Sequence, residues 1–239
     1  MYFPWLGLFD QLRLADMYCH YDDVQLSRGF CNRVQLIRQR KSRFVTVPLV
    51  KRSQKQLICK SRVSYEKDWI STHRSNLIES LGKAPFFQHA LSIFDEVHEN
   101  QATFLHQINR KGILKVAEYL ELIEGKTFYD SIDLKTNHRS SHRLLEICKA
   151  LEAKVYLTGH GALKYLDHEL FEQNDVEVFY IKYRFSNYKK DKSEYTPFVS
   201  ILDPISYLGE SAQKSMKSEM VNWRDAMKDP DYLLPKQRK

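Results

Sequence analysis

Tyr156-Leu-Thr-Gly-His-Gly-Ala-Leu-Lys-Tyr165 joins an apolar run to a helical pattern through a Gly-x-Gly turn. At such a strand–turn–helix junction, an α/β sheet presents backbone N–H groups and a helix N-terminus to an anionic ligand. The turn adds the hydroxyl of Thr158 and the imidazole of His160. A tight βα turn whose glycines adopt positive φ is the alternative interpretation. We favour a substrate-binding role for Thr158, Gly159, His160 and Gly161.

The sequence around this turn alternates between strand and helix patterns. Strands are predicted at residues 127–132, 153–157 and 176–183, and helices at residues 140–151 and 162–171. Alternation of this kind favours parallel βαβ units. We therefore predict an α/β fold with a partly parallel central sheet and a ligand cleft at the carboxyl ends of its strands.

The first half of the chain changes from strand to helix patterns. Residues 17–21 and 56–63 are predicted strands, and residues 32–37 and 43–50 a hairpin with its turn at 38–42. From about residue 65 to residue 122 the apolar period is helical, which predicts a helical insertion. One face of its first helix carries Trp69, His73, Leu77, Ile78 and Leu81.

The segment after residue 208 is polar and rich in lysine. This composition predicts a loosely attached helix followed by disorder over residues 209–239. Residues 1–208 would then form one α/β domain that contains the helical insertion.

Charge and composition narrow the class of protein. The 239 residues have a formal net charge of +7, but lysine and arginine are spread along the chain instead of forming a stripe. We therefore expect no specific nucleic-acid binding. A diffuse excess of positive charge keeps a protein soluble or suits a small, anionic substrate. No apolar segment approaches the roughly 20 residues of a membrane span, and no signal peptide is recognisable. We expect a cytoplasmic protein.

The four cysteines, Cys19, Cys31, Cys59 and Cys148, have no C-x-x-C spacing. Neither a zinc site nor a thioredoxin-type redox pair is indicated, and we expect reduced, mostly buried thiols and no metal.

The densest group of titratable side chains is His20, Asp22 and Asp23, which ends the first predicted strand. On a strand, His20 and Asp22 face the same side, so they would form an oriented catalytic pair while Asp23 turns into the loop. A solvated strand end beside a histidine at the edge of the core is the alternative interpretation.

Other polar and aromatic residues are candidates for substrate binding. Asn32 and Arg33 open a strand, where Arg33 would bind a substrate phosphate or neutralise Asp22 or Asp23. A helix-face pair such as Trp69 and His73 is more often packed in the core than in contact with a ligand. Asp203 ends a further apolar run. Tyr180, Tyr183, Tyr188 and Tyr195 would line a sugar or nucleotide pocket or the edge of an aromatic core.

Many of these motifs occur in the same order in one known family, and the chain resembles the WbqC-like protein family from residue 1 to about residue 209. The matching motifs are Tyr2-Phe-Pro-Trp-Leu-Gly-Leu-Phe9, Asp16, His20-Tyr-Asp-Asp-Val-Gln25, Asn32-Arg33, Val47-Pro48, Trp69 with His73, Pro85-Phe-Phe87, Tyr156-Leu-Thr-Gly-His-Gly161, Tyr165-Leu166 and Ser200-Ile-Leu-Asp203. The match adds Tyr165 to the candidate substrate-binding residues.

Proteins of this family usually begin a few residues earlier, with an apolar strand that ends in His-Gln-Pro. The sequence begins with Met1 at the following motif. The resemblance therefore leads us to expect that one family strand and its histidine are missing, through a late start or through truncation to an inactive member.

The resemblance implies a role in the biosynthesis of bacterial O-antigen, lipopolysaccharide or other surface polysaccharides. Family members have been proposed as transferases of glycyl or other small acyl groups. We accordingly expect acyl or aminoacyl transfer to a nucleotide-linked sugar. His20 or Asp22 would be the general base, and Arg33 with the Gly159 and Gly161 backbone would hold a diphosphate or an oxyanion.

Two alternatives to this transferase stay open, the first because the sequence has no strong catalytic motif. One is a non-catalytic protein of the same pathway that binds a sugar nucleotide or assists assembly. The other is a nucleotidyltransferase-like enzyme whose strand-to-helix turn holds phosphates, an analogy at the level of the fold.

Overall fold

A computed structural model of the chain describes residues 1–27, 29–50, 55–136, 138–190 and 195–229. The strands are β1 Met17–His20, β2 Arg33–Arg38, β3 Lys41–Thr46, β4 Thr127–Asp130, β5 Val155–Thr158, β6 Glu177–Lys182 and β7 Glu219–Asn222. The α-helices are α1 Leu6–Leu14, α2 Trp69–Leu81, α3 Phe87–His98, α4 Leu105–Tyr119, α5 Ser140–Ala150, α6 His168–Glu172, α7 Leu202–Leu208 and α8 Trp223–Lys228.

Two parallel strand pairs confirm the predicted α/β class. β1 pairs with β4, so that His20 lies opposite Asp130, and β5 pairs with β6, so that Thr158 lies opposite Tyr180. β7 adds to β6 in the antiparallel direction, and β2 with β3 forms a separate hairpin. The described strands are therefore divided among three small sheets. Each parallel pair brings the carboxyl ends of its two strands together at one edge.

The predicted hairpin is present, and its turn is tighter than expected. Gln39 and Arg40 form the two-residue connection between β2 and β3, and both have positive φ, 50° and 61°. Positive φ at both central residues matches the twist of the flanking strands. The hairpin therefore forms without the Asn-Gly sequence that usually marks such a turn.

The predicted strand at residues 56–63 is wrong. Residues Ile58–Lys60 form a short 3-10 helix, because their backbone pairs with the loop that follows β1. The N–H of Cys59 donates to the carbonyl of Asp22 at 2.8 Å, and the N–H of Ile58 donates to the carbonyl of Val24 at 2.9 Å. These bonds hold the loop after β1 in place.

The region from Tyr65 to Leu122 is helical, as predicted, and comprises α2, α3 and α4. Their apolar faces join one core with α1, the β2–β3 hairpin and α7. Trp69, His73, Leu77 and Leu81 are buried as expected, whereas Ile78 is 44% exposed. The three helices therefore help to form the main core of the protein.

The predicted helix at residues 162–171 is divided into two pieces. A 3-10 helix covers His160–Lys164, Tyr165 leaves the helical conformation, and α6 begins again at His168. The break follows from a local cap: the carboxylate of Asp167 accepts the N–H of Leu170 at 3.1 Å. The turn at Gly159–Gly161 therefore does not open a long α-helix, and the expected helix dipole is absent there.

The expectation of a loosely attached helix after residue 208 is wrong for residues 209–228. Ala212 and Met216 are buried in the main core, and Val221 of β7 lies opposite Tyr180 of β6. A second core, formed around β5, β6, α5 and α6, includes Ala226 of α8. The predicted disorder falls mainly on residues 230–239, outside the described residues. The domain boundary at residue 208 stays a proposal.

Two histidines share one hydroxyl inside the main core. The Tyr2 hydroxyl lies 3.1 Å from Nδ1 of His73 and 3.3 Å from Nε2 of His98. The Nδ1–H of His98 donates to the carbonyl of Phe94 at 2.7 Å. Burial lowers the pKa of each imidazole to about 4, and the neighbouring His98 adds to this effect on His73. Both rings are therefore neutral at neutral pH.

This pair makes the stability of the protein sensitive to acid. Between pH 6.5 and 4 the unfolded chain binds protons that the native histidines do not, so the free energy of unfolding falls as the pH falls. From about pH 7.5 to about pH 5, each histidine should contribute a loss of about 2 kcal/mol. Urea unfolding of His98→Gln should show a correspondingly smaller pH dependence. His142→Gln, at an exposed histidine, is the control. If His98→Gln keeps the full pH dependence of the parent's unfolding free energy, the buried histidine pair is not the cause of that dependence.

Candidate functional site

Four polar residues meet where β1 and β4 end. Asp22 and Asp23 follow β1, Asp130 ends β4, and Ser131 comes next. The N–H of Ser131 donates to the carbonyl of His20 at 3.0 Å, which extends the pairing of the two strands by one step. This edge therefore concentrates three carboxylates beside one another, as parallel pairing requires.

Arg110 of α4 binds carboxylates from both strands. Its Nε donates to Asp22 Oδ2 at 2.8 Å, and its Nη1 donates to Asp130 Oδ2 at 2.6 Å. The Arg110 and Asp22 side chains are only 18% and 10% exposed. Nη2 of Arg110 is fully buried and has no partner among the described residues. Arg110 thus holds the two strand ends together from the helical region.

Asp23 is held by a separate pair of donors. Ser131 Oγ donates to Asp23 Oδ1 at 2.6 Å, and Nη2 of Arg143 donates to Asp23 Oδ2. Arg143, in the first turns of α5, also donates from Nε to Thr136 Oγ1 at 3.1 Å, and its guanidinium lies 5.3 Å from the centre of the Tyr21 ring. Both carboxylate oxygens of Asp23 are therefore engaged, which makes Asp23 a supporting residue.

His20 is a titratable group of this site that makes no side-chain hydrogen bond with the described residues. It is 6% exposed and packs against the rings of Tyr18 and Phe128, with ring centres 5.0 and 6.3 Å apart. Burial lowers the pKa of His20, while Asp22 and Asp130 oppose this effect. In the described residues neither ring nitrogen is hydrogen-bonded, and neither is fully buried without a partner. The neutral imidazole is thus free to accept a proton.

Two thiols near the site are held in the protonated form. Burial raises the pKa of Cys19 to about 12, with further repulsion from Asp130, Asp23 and Asp22. Burial also raises the pKa of Cys59. A thiol of high pKa is a poor nucleophile at neutral pH, so His20 remains the better candidate for chemistry. All four cysteines are free.

Of the two roles predicted for Arg33, the pairing with Asp22 or Asp23 is wrong. Arg33 donates from Nε to the carbonyl of Gly29 at 2.8 Å, and its guanidinium lies 4.4 Å from the centre of the Phe44 ring on the exposed hairpin. Asn32 is buried and donates its amide to the carbonyl of Val47 at 2.9 Å, which closes the base of the hairpin. Both residues have local structural partners away from the carboxylate cluster.

Three other candidates are also placed in packed surroundings. Trp69 and His73 belong to the buried aromatic cluster around Tyr2, with their ring centres 5.0 Å apart. Asp203 is fully buried and accepts from Lys189 Nζ at 2.8 Å and from the Tyr188 hydroxyl at 2.7 Å. Trp69 and His73 are therefore packed in the core, as the alternative interpretation had it. The bonds of Asp203 join α7 to the segment that precedes it.

Neither glycine of the Gly159–Gly161 turn has positive φ, and only Gly159 lies close to another side chain. Gly159 has φ −92°, and Gly161 is not among the residues with positive φ. A Cβ atom on Gly159 would lie only 3.1 Å from the Tyr183 hydroxyl. Thr158 is buried and His160 half-buried, at the carboxyl end of β5. A conformational requirement therefore does not explain this Gly-x-Gly sequence.

The segment that follows this turn is bonded to the helix that carries Arg143. Ser141 of α5 accepts the N–H of Asp167 at 3.0 Å and donates to the carbonyl of Tyr165 at 3.4 Å, while the Tyr165 side chain is 58% exposed. α5 therefore connects the segment after β5 with the carboxylates after β1. The structure links these two predicted parts of the cleft through one helix.

Arg110, Asp130 and Arg143 were missed by the sequence reasoning. Asp130 falls inside a predicted strand, and its position opposite His20 would have followed from pairing that strand with β1. The two arginines have no such local signal, because each is one basic residue on a helix with several. Only the long-range contact distinguishes them.

Neither a metal-ligand cluster nor a membrane-spanning helix is found in the described part of the chain. It has no group of three His, Cys, Asp or Glu side chains arranged to hold a metal ion. It also has no helix of the length and apolar character that a membrane crossing requires.

The fold and site define an α/β protein with an ion-paired carboxylate cluster and a buried histidine at the carboxyl ends of parallel strands. The WbqC-like protein family matches residues 1–215, and the chain belongs to this family. An uncharacterized protein of Mycobacterium tuberculosis is 26% identical over 214 residues, which cover 88% of this chain and 92% of that protein. No solved structure matches.

Removal of Arg110 tests how strongly the strand ends depend on it. Arg110→Ala leaves Asp22 and Asp130 without their cation, so urea unfolding should show a loss of about 3 kcal/mol. Arg74→Ala is the matched control, because the Arg74–Asp95 pair is roughly half exposed; its loss should stay below about 1 kcal/mol. Equal losses in the two variants would contradict the special role of Arg110.

Proposed function

We propose that the protein transfers a small acyl or aminoacyl group, such as glycyl, to the sugar of a nucleotide-linked substrate. The observation that carries this proposal is the free, neutral imidazole of His20 beside the ion-paired carboxylates. Membership of the WbqC-like family supports a place in O-antigen, lipopolysaccharide or other surface-polysaccharide biosynthesis. Such a substrate is made in the cytoplasm, which is where we place the protein.

His20 is the general base of the proposed reaction. It accepts a proton from the acceptor hydroxyl or amino group while that oxygen or nitrogen forms a bond to the acyl carbon. The bond between this carbon and the donor's leaving group breaks, and the imidazolium returns the proton to the leaving group. Burial keeps His20 neutral at the start, and Asp22 and Asp130 favour the charged form during the reaction.

The ion pairs give Asp22 and Asp23 roles other than proton transfer. Asp22 bonds Arg110, and both oxygens of Asp23 are engaged, so neither carboxylate is as free as His20. A fixed carboxylate beside an imidazole stabilises the imidazolium without reorganisation at the moment of reaction. Arg143 takes the anion-binding role first expected of Arg33, since it lies on α5 between the carboxylates and the turn after β5.

The histidine provides the direct test of the transferase. The purified protein is incubated with nucleotide-linked sugars and with acyl or glycyl donors, and transferred product is measured by mass spectrometry. His20→Gln should lower the transfer rate by about 100-fold or more and leave the melting temperature close to that of the parent. His89→Gln, an exposed histidine on α3, is the control and should keep full activity.

The rate should also depend on pH through His20. Because burial lowers the pKa of His20, the base stays active at a lower pH than an ordinary histidine would, and the acid limb of the pH–rate profile should disappear in His20→Gln. An unchanged rate in this variant would remove His20 as the base. Binding of a sugar nucleotide without any product would instead favour the non-catalytic alternative. Formation of nucleotide products from ATP would favour the nucleotidyltransferase-like alternative.

A further inference from the structure

A second group of aromatic rings lies at the carboxyl ends of β5 and β6. Trp5 precedes α1, and its ring centre lies 4.7 Å from that of Tyr183, 5.7 Å from that of Phe185 and 5.1 Å from that of Phe198. Tyr183 follows β6 directly, and its hydroxyl approaches Gly159 after β5. This cluster therefore flanks the same turn that the sequence marked for ligand binding.

Close contacts with glycine hold the two polar rings in place. A Cβ atom on Gly7 would lie 2.5 Å from the Trp5 ring, so the indole rests directly on the first turn of α1. In the same way, a Cβ atom on Gly159 would lie 3.1 Å from the Tyr183 hydroxyl oxygen. Each ring occupies the space that a side chain at the neighbouring glycine would fill, so both rings are closely packed against the backbone.

The cluster has two hydrogen-bond donors without partners. Within the described residues, neither the Trp5 indole N–H nor the Tyr183 hydroxyl makes a hydrogen bond, and the fully buried unpaired atoms lie elsewhere in the protein. Burial of the ring raises the pKa of Tyr183, so its hydroxyl keeps its proton at neutral pH. Trp5, Phe185 and Phe198 are only half-buried. Tyr183 itself is 7% exposed. Neither donor is among the fully buried unpaired atoms, so each lies at the edge of the packed rings.

The aromatic cluster around Tyr2 provides a contrast within the same protein. Its tyrosine hydroxyl lies within hydrogen-bond distance of His73 and His98, and Tyr2, Trp69 and both histidines are all less than 10% exposed. That cluster has the features of a closed core. The cluster around Trp5 differs in that three of its four rings are half-buried, although Tyr183 is 7% exposed. Its two unpaired donors are not fully buried, whereas the unpaired Nε1 of Trp69 is. Partly exposed rings with accessible donors are features of a ligand site.

We propose that Trp5, Tyr183, Phe185 and Phe198 bind the base of the nucleotide-linked substrate, an inference that rests on the proposed function. In the proposed reaction the reacting sugar lies at His20, the last residue of β1. The part of the substrate at the ends of β5 and β6 is therefore a part that does not react. Any flat nucleobase can stack on aromatic rings. The two hydrogen-bond donors match a base with carbonyl oxygens on its edge, as in uracil.

The test uses UDP as the probe and needs no acyl donor. Calorimetric titration of the full chain should show UDP binding that weakens about tenfold or more in Trp5→Ala, because stacking on one ring accounts for at least this factor. Tyr183→Phe keeps the ring and should weaken binding by a smaller factor. Trp223→Phe is the control, since Trp223 donates to Glu172 and stacks on His168 away from this cluster; it should bind UDP as the parent does.

Fluorescence gives a second reading if Trp5→Ala folds poorly. UDP should quench tryptophan emission in the parent and in Trp223→Phe but not in Trp5→Phe, which retains an aromatic ring. The proposal is overturned if the parent does not bind UDP, or if Trp5→Ala and Tyr183→Phe bind UDP as tightly as the parent does. It is also overturned if the binding of free N-acetylglucosamine depends on these two residues and the binding of UDP does not. UDP binding through Trp5 without any transferred product would uphold this subsite and count against the transferase.

Discussion

The double ion pair of Arg110 is the constraint on which the rest of the site depends. Parallel pairing of β1 and β4 brings Asp22 and Asp130 to one edge, where two like charges in reduced contact with water repel each other. A single guanidinium with donors in a fixed fork meets both carboxylates. Because Arg110 lies on α4, the strand ends and the helical region have to form together.

This constraint explains why the helical region belongs to the main core. An inserted cap that packed independently would not hold the arginine that two strands need. Instead, α3 packs against α7, α2 packs against β2, and α4 packs against α3 and the 3-10 helix at Ile58–Lys60. These contacts position the helix that carries Arg110. The result is a preorganised charge pattern around His20, in which the imidazole is left as the group free to exchange a proton.

Local patterns predicted a large part of the fold. The alternation of apolar runs indicated the parallel pairs, the helical period indicated α2 to α4, and the strand ending in Asp22 and Asp23 was placed correctly. The failures share a cause. The segment at Ile58–Lys60 and strand β7 take their conformation from distant backbone partners, the loop after β1 and β6. Composition and period describe only near neighbours in the chain.

The sequence by itself determined the fold class, the family and the position of His20, Asp22 and Asp23 at a strand end, because each rests on local periodicity or on an ordered set of motifs. The tertiary structure decided which cations meet these carboxylates. Arg33 is 11 residues from Asp22 and points elsewhere, whereas Arg110 is 88 residues away and binds it. All arginines carry the same charge, so only the packing of α4 against the strand ends selects the partner.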